Sequence, residues 1–217
     1  MIIQKNFNNT NFQGIHIANT KSCLKNLETQ IKIYELNAKD DKTFLKKLPQ
    51  KINMKNLMPD LLLQEYYRWQ EMLEYAVDKS MGNDRKTLLA VTDNKPCGLA
   101  VYLPGKNKYH LDCICTWPVE YGKKVKLAGS TLFQQLFKDF AASKANKIKL
   151  EAIINGPYDT VSKYKKLGFK EYGGEANKIF MDISAQKVKE SLSNLKQLIS
   201  CTEIQNKSKI NLNEILL

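Results

Sequence analysis

The sequence predicts an α/β chain of the α+β type, a mixed sheet with helices packed on it, on three observations. Several β-rich runs come first, followed by strand, helix, strand, helix and a last pair of strands, an order that places neighbouring elements in one sheet. Apolar residues alternate in the short runs and recur at helical spacing in the longer ones. A 43% hydrophobic and 26% charged composition over 217 residues supplies one sizeable core with appendages. It excludes collagen-like, mucin-like and wholly disordered chains.

Residues 1–30, rich in Asn and Thr and without a period, read as a loosely ordered N-terminal extension. The domain is expected over 31–183. It opens with a strand at 31–36 and a short helix capped by Asp40 or Asp41, which carries Phe44, Leu45 and Leu48 before Pro49 stops it. A helix over 60–77 has an apolar stripe of Leu61, Leu62, Tyr66, Trp69, Leu73 and Ala76. Runs at 88–92 and 97–103, joined by Asp93, Asn94, Lys95 and Pro96, form a hairpin. A strand over 109–116 leads through a loop to a helix starting near Gly129, whose Leu132, Phe133, Leu136, Phe137, Phe140 and Ala141 make one apolar face. Then come a strand at 148–154, a helix at 159–167 closed by Gly168, and an antiparallel pair at 169–172 and 178–183. In the tail, 184–217, Val188, Leu192, Leu195, Leu198 and Ile199 recur at helical spacing and predict a short amphipathic helix. Neither flank holds a motif position, so chemistry is expected to survive their removal.

No apolar run approaches the roughly 20 residues a bilayer requires, and the opening MIIQKNFNNTNFQG has no continuous apolar stretch, so neither membrane attachment nor a signal peptide is expected. Five scattered cysteines without a CxxC pair suit a reducing compartment, which points to the cytoplasm. The formal charge of +12 rests almost wholly on lysine, with Arg68 and Arg85 the only arginines. Lysine lacks the planar fork that reads guanine or clamps a phosphate bidentately, so the charge argues against nucleic acid and for a solvated surface or an anionic ligand.

The stretch HLDCICTWPVEYGKKVKLAGSTLFQQL carries the chemistry. A strand ending in a glycine-containing loop that feeds a helix leaves backbone N–H groups without intrahelical partners, at the positive end of the helix dipole. This is an anion site, and Lys123, Lys124 and Lys126 beside it favour a phosphate-bearing ligand. A second stretch, KIKLEAIINGPYDTVSKYKKLGFKEYG, supplies strand, short helix, glycine cap and aromatic re-entry.

Together the two stretches resemble the GNAT superfamily of N-acetyltransferases over residues 31–183. The family's cofactor motif, Gln or Arg, two residues, Gly, one residue, then Gly or Ala, falls on Lys124, Val125, Lys126, Leu127, Ala128 and Gly129. Its later motif of Tyr, two residues and Leu-Gly-Phe falls on Tyr164, Lys165, Lys166, Leu167, Gly168 and Phe169, with Asn155 upstream. Lys124 and Leu127 depart from the family's residues, and the interval from Asn155 to Tyr164 is longer than usual.

The resemblance implies a mostly antiparallel sheet with helices on both faces and splayed middle strands. It implies acetyl-CoA as cosubstrate, an amine-bearing acceptor, small molecule or protein, and a monomer or homodimer. The pantetheine would lie along Ile114, Cys115 and Thr116, the pyrophosphate on the N–H groups of Lys124, Val125, Lys126, Leu127, Ala128, Gly129 and Ser130, and Asn155 would complete the cofactor set. Tyr164 would protonate the leaving sulfur, the plainer reading being a core tyrosine. Asp112, with Glu151 as second choice, would take the amine's proton; a capping or ion-paired carboxylate is the plainer reading of Asp112.

His110 is also attractive as a base because its unperturbed pKa is near neutral. Strand alternation places His110 and Asp112 on one face and Cys113 and Cys115 on the other, so they do not converge on a metal, and none is expected. Tyr66, Tyr67 and Trp69 read as core, in a region that lines the acceptor pocket in the resembled family. Competing readings are a noncatalytic acyl-CoA-binding or regulatory module and, behind it, a lysine-rich nucleic-acid binder.

Overall fold

The computed structural model describes residues 13–215 apart from 26, 38, 155–158, 206 and 208. They form one ten-stranded sheet in the order β10-β1-β2-β3-β4-β5-β6-β8-β7, with β9 also pairing to β1. Its strands are β1 (Gln13–Ser22), β2 (Gln30–Leu36), β3 (Lys86–Thr92), β4 (Lys95–Leu103), β5 (Lys108–Thr116), β6 (Lys147–Ile153), β7 (Lys170–Glu175), β8 (Lys178–Ser184), β9 (Ile199–Glu203) and β10 (Lys209–Asn211). Every pairing is antiparallel except β5 with β6.

The helices are α1 (Lys42–Lys51), α2 (Met54–Leu57), α3 (Leu63–Ser80), α4 (Ala128–Ala141), α5 (Thr160–Lys166) and α6 (Ala185–Leu198), followed by a short 3-10 turn at Leu212–Ile215. They cover both faces of the sheet. Leu132, Leu136, Phe137 and Phe140 of α4 and Val188 and Leu195 of α6 fill one core layer. Phe44 and Leu45 of α1 and Trp69, Leu73 and Ala76 of α3 fill the other. No helix among the described residues is long and apolar enough to cross a membrane.

The elements follow local chemistry, with some differences from the sequence reading. The hairpin closes more tightly than the four joining residues implied: Thr92 pairs with Lys95, and Asp93 and Asn94 turn with φ of 49° and 58°. Asp and Asn tolerate that left-handed region better than other side chains, which suits a two-residue turn. Helix α1 runs through Pro49, because only the proline's own N–H bond is lost and Ile52 N–H still closes on Leu48 O at 3.1 Å. Helix α3 starts later than expected, where Glu65 Oε2 accepts the Leu62 N–H at 3.0 Å.

Both flanks differ most. Residues 13–22, expected in a loose extension, form β1, and the tail supplies α6, β9 and β10. β1 is bracketed by β2, β9 and β10, so its backbone is satisfied on both sides despite a sequence without period. Helix α6 packs on α4 and supplies Val188 and Leu195 to the core. The described parts of both flanks thus belong to the sheet and core rather than to appendages, and removing them is expected to cost stability.

Candidate active site

β5 and β6 are hydrogen-bonded over Lys108↔Lys147, Tyr109↔Ile148, His110↔Lys149 and Leu111↔Leu150, and then stop pairing. β5 runs on to Thr116 and β6 to Ile153, so the two parallel strands part into a wedge in mid-sheet. Parting leaves the β6-facing edge of Ile114, Cys115 and Thr116 without a ladder partner on that side, as an added extended segment requires.

The same place carries a bulge. Val101 pairs with Cys113 but Tyr102 with Leu111, leaving Asp112 as the extra residue on β5. A bulge shifts the alternation of everything beyond it. Tyr109 and Leu111 therefore lie in the α4-side core, and Cys113 and Cys115 in the α3-side core, although all four are two residues apart. This corrects the expected alternation: His110, Asp112, Cys113 and Cys115 share the α3 face. Cys113 Sγ donates to Met72 O at 3.9 Å and Cys115 Sγ to Leu99 O at 3.8 Å. Among the described residues no three His, Cys, Asp or Glu side chains group as metal ligands.

At the end of the wedge, α4 begins. Leu127 precedes it with φ 68° and ψ 0°, in the left-handed region, and its carbonyl accepts the Thr131 N–H at 2.8 Å. A left-handed residue followed by a helix turns successive N–H groups into one concavity, those of Ala128, Gly129 and Ser130 having no intrahelical acceptor. Leu127 stands where the resembled motif has its first glycine, and the backbone keeps the conformation a glycine adopts freely. The strain of a left-handed L-residue is about 1–2 kcal/mol. Leu127→Gly should therefore be the more stable of two truncations, with its thermal midpoint a few degrees above that of Leu127→Ala. Equal midpoints would show that the strain is absent.

A Cβ on Gly129 would meet only Thr116 Cγ2 at 3.8 Å, an ordinary contact, so the fold itself does not demand glycine there. Val125 packs on the core, and Gly122 N–H donates to Leu57 O at 3.0 Å, tying the loop to α2. Lys123 contacts Glu120 at 3.4 Å, keeping one lysine at the loop's rim.

Tyr164 comes from α5, capped at its start by Asp159 Oδ1, which accepts the Ser162 N–H at 2.9 Å. Gly168, with φ 93°, ends the helix in the left-handed region, where a Cβ would strike Lys187 Cγ at 2.8 Å. That turn sends Phe169 into the core beside Tyr164, their ring centroids 6.0 Å apart, with Phe133 5.9 Å from Tyr164. The Leu-Gly-Phe run thus sets the tyrosine's ring. Burial pushes its phenol well above its usual range, and the Cys113 and Cys115 thiols nearby push it further. The group stays protonated.

Across the sheet, Asp112 is almost wholly buried, and its Oδ2 accepts Arg85 Nε at 2.9 Å. Its other oxygen lies 3.8 Å from His110 Nε2. Glu151, on the first rung beyond the last pairing of β6 with β5, is exposed and its Oε2 accepts Lys178 Nζ at 2.9 Å. Asp112 and Glu151 thus flank the start of the wedge, each already bonded to a cation. Asn155 lies outside the described residues. Arg85 was missed in the sequence; its only signal was being one of two arginines in a lysine-rich chain.

No protein-family model and no curated protein matches the sequence. Solved structures do match. The N-acetyltransferase PaiA from Thermoplasma acidophilum in complex with coenzyme A is 22% identical, over 71% of this chain and 98% of that one, with a TM-score of 0.51. An aminoglycoside 6'-acetyltransferase of type Ii is 18% identical over 70% and 96%, at 0.52. A putative acetyltransferase of the GNAT family from Desulfovibrio desulfuricans is 16% identical over 71% and 99%, at 0.51. The parted strands, the loop at α4 and these likenesses agree: the chain has the fold of the GNAT superfamily of N-acetyltransferases.

Proposed function

We propose that the protein is an acetyl-CoA-dependent N-acetyltransferase that moves an acetyl group to a primary amine by direct attack on the thioester. The observation that carries this reading is convergence: the open wedge of β5 and β6 has a helix start with unpaired N–H groups at one end and a half-buried, protonated Tyr164 beside it. A solved structure of this fold, that of PaiA, holds coenzyme A. Here the pantetheine would pair with the free edge at Ile114, Cys115 and Thr116, and the pyrophosphate would meet the N–H groups from Lys124 to Ser130. Asn155 belongs to the same proposed set by resemblance. The lysine-rich surface suits a cosubstrate that carries several phosphates.

The residues divide the work. The amine must shed a proton, the carbonyl oxygen must be stabilised as it gains charge, and the departing sulfur benefits from a proton. Tyr164 would give that proton, a role supported by a phenol that burial keeps neutral. A carboxylate at the wedge, Asp112 or Glu151, would hold or take the proton of the amine. With five cysteines all free, the reading places the enzyme in a reducing, cytoplasmic setting.

Saturating acetyl-CoA should stabilise the fold. One-site linkage gives about 2.7 kcal/mol at a hundred times the dissociation constant, which for a chain of this size is a rise of several degrees in melting temperature. Gly129→Glu should abolish the rise by setting bulk and negative charge beside phosphate, while Lys106→Glu, in the β4–β5 turn, should keep it. No shift with either acetyl-CoA or CoA would remove the cofactor assignment. Release of CoA thiol with a panel of primary amines then separates an enzyme from a noncatalytic acyl-CoA binder.

A further inference from the structure

We infer that His110 is the group that takes the amine's proton, and that Asp112 is a positioning residue behind it rather than the base. The inference rests on the acetyltransferase reading and deepens it. Asp112 is nearly buried and its Oδ2 holds Arg85 Nε at 2.9 Å. That oxygen is occupied by the guanidinium, and its burial turns it away from an incoming amine. Glu151 is likewise taken by Lys178, its Oε2 accepting Nζ at 2.9 Å on an exposed part of β6. Each carboxylate is thus already engaged by a cation, which leaves the proton of the amine to a third group.

His110 is the imidazole on this face. Its side chain is 38% exposed, its Nε2 stands 3.8 Å from Asp112 Oδ1, and it sits on the rung His110↔Lys149, one before the last that joins β5 to β6. A half-exposed cation, Arg85, holds a buried carboxylate, Asp112, which faces an accessible ring, His110. A carboxylate behind a histidine orients the ring and favours the imidazolium that forms when the ring accepts a proton. Asp112 lies against the ring, Arg85 stands behind Asp112 with Asp84 paired to it, Cys113 follows on the same strand, and Lys149 is the partner of His110 across the β5–β6 rung. Lys149 is drawn aside, its Nζ 4.5 Å over the ring of Tyr172.

The bulge at Asp112 makes this arrangement useful. It keeps His110 and Asp112 on the α3 face, while Tyr164 stands with the α4-side core. Proton acceptor and proton donor therefore approach the wedge from opposite faces of the sheet. In the step, His110 takes one proton from the ammonium and later gives it to water. The amine nitrogen bonds to the acetyl carbon, the carbon–sulfur bond breaks, and the sulfur takes the Tyr164 proton. The second proton lost by nitrogen as the amide forms restores the phenol. The net change is one amide, one thiol and one proton released.

The test is the pH dependence of kcat/KM with spermidine and acetyl-CoA, for wild type, His110→Gln, Asp112→Asn and Glu151→Gln. Wild type should lose activity below the histidine range. His110→Gln should fall about a hundredfold at neutral pH and lose that limb, with KM for acetyl-CoA unchanged, and imidazole should restore part of the activity of His110→Ala. Asp112→Asn should shift the limb to lower pH, because a ring that has lost the carboxylate facing it is protonated less readily. The ring resonances should show the same displacement for His110 and none for His16. An unaltered limb in His110→Gln, or its loss in Glu151→Gln instead, overturns the proposal while the enzyme reading stands. No turnover by wild type with spermidine or any amine of the panel removes both.

Discussion

Tyr164→Phe should lower turnover about a hundredfold while leaving acetyl-CoA affinity and the melting temperature nearly unchanged. The substitution removes one hydroxyl and keeps the ring that packs on Phe133 and Phe169. Burial holds the phenol above its ordinary value, near 10, so the group is a proton donor across the whole working range and adds no alkaline limb below that value. The measurement is steady-state turnover with a pre-steady-state check that chemistry limits the rate. Full turnover under that condition would make Tyr164 a core residue and send the search for the acid elsewhere.

Ending the chain at Ser184 should cost most of the stability of the fold. The deletion removes α6, β9, β10 and the closing 3-10 turn, with Val188, Leu195, Ile199, Leu212 and Ile215 all buried. At about 1.5–3 kcal/mol for each large apolar side chain, the loss is on the order of 10 kcal/mol, comparable with the whole net stability of a typical domain. Polar bonds go as well: Gln134 Nε2 loses Ile199 O, and Leu167 O loses the Ser191 hydroxyl. The second loss reaches the active site, since Leu167 and Gly168 form the turn that sets Tyr164. Denaturant melts of the truncated chain and of Leu195→Ala, which should lose about 2–5 kcal/mol, give the comparison. A soluble truncated chain that melts like the full one would show that the tail is an appendage after all.

The sheet and its covering helices were legible because the signals are local. The apolar faces of α4 and of the helix carrying Trp69 and Leu73 announce themselves by spacing, and Asp93-Asn94 announces a turn. The Leu-Gly-Phe run was legible because only glycine fits the left-handed close after α5. β1 was not, since its strand is specified by three partners rather than by its own alternation. Propensity in a strand expresses the surface it packs on, and that surface comes from distant residues.

By itself the sequence determined the order of the elements from β2 to β8 apart from the short α2, most of the core residues of α1, α3 and α4, with Leu62, Tyr67 and Ala141 exposed instead, and the two motifs that point to an acyl-CoA site, because each depends on spacing within a few turns. Only the tertiary structure decided where β5 and β6 part, that Asp112 is the bulged residue, and that Arg85 lies against it. A bulge is defined by two strands counted against each other, and an ion pair between residues 85 and 112 by the packing that joins them. Neither can be read along one strand. That one extra residue turns His110, Asp112 and both cysteines to the same face, which strand alternation alone had divided.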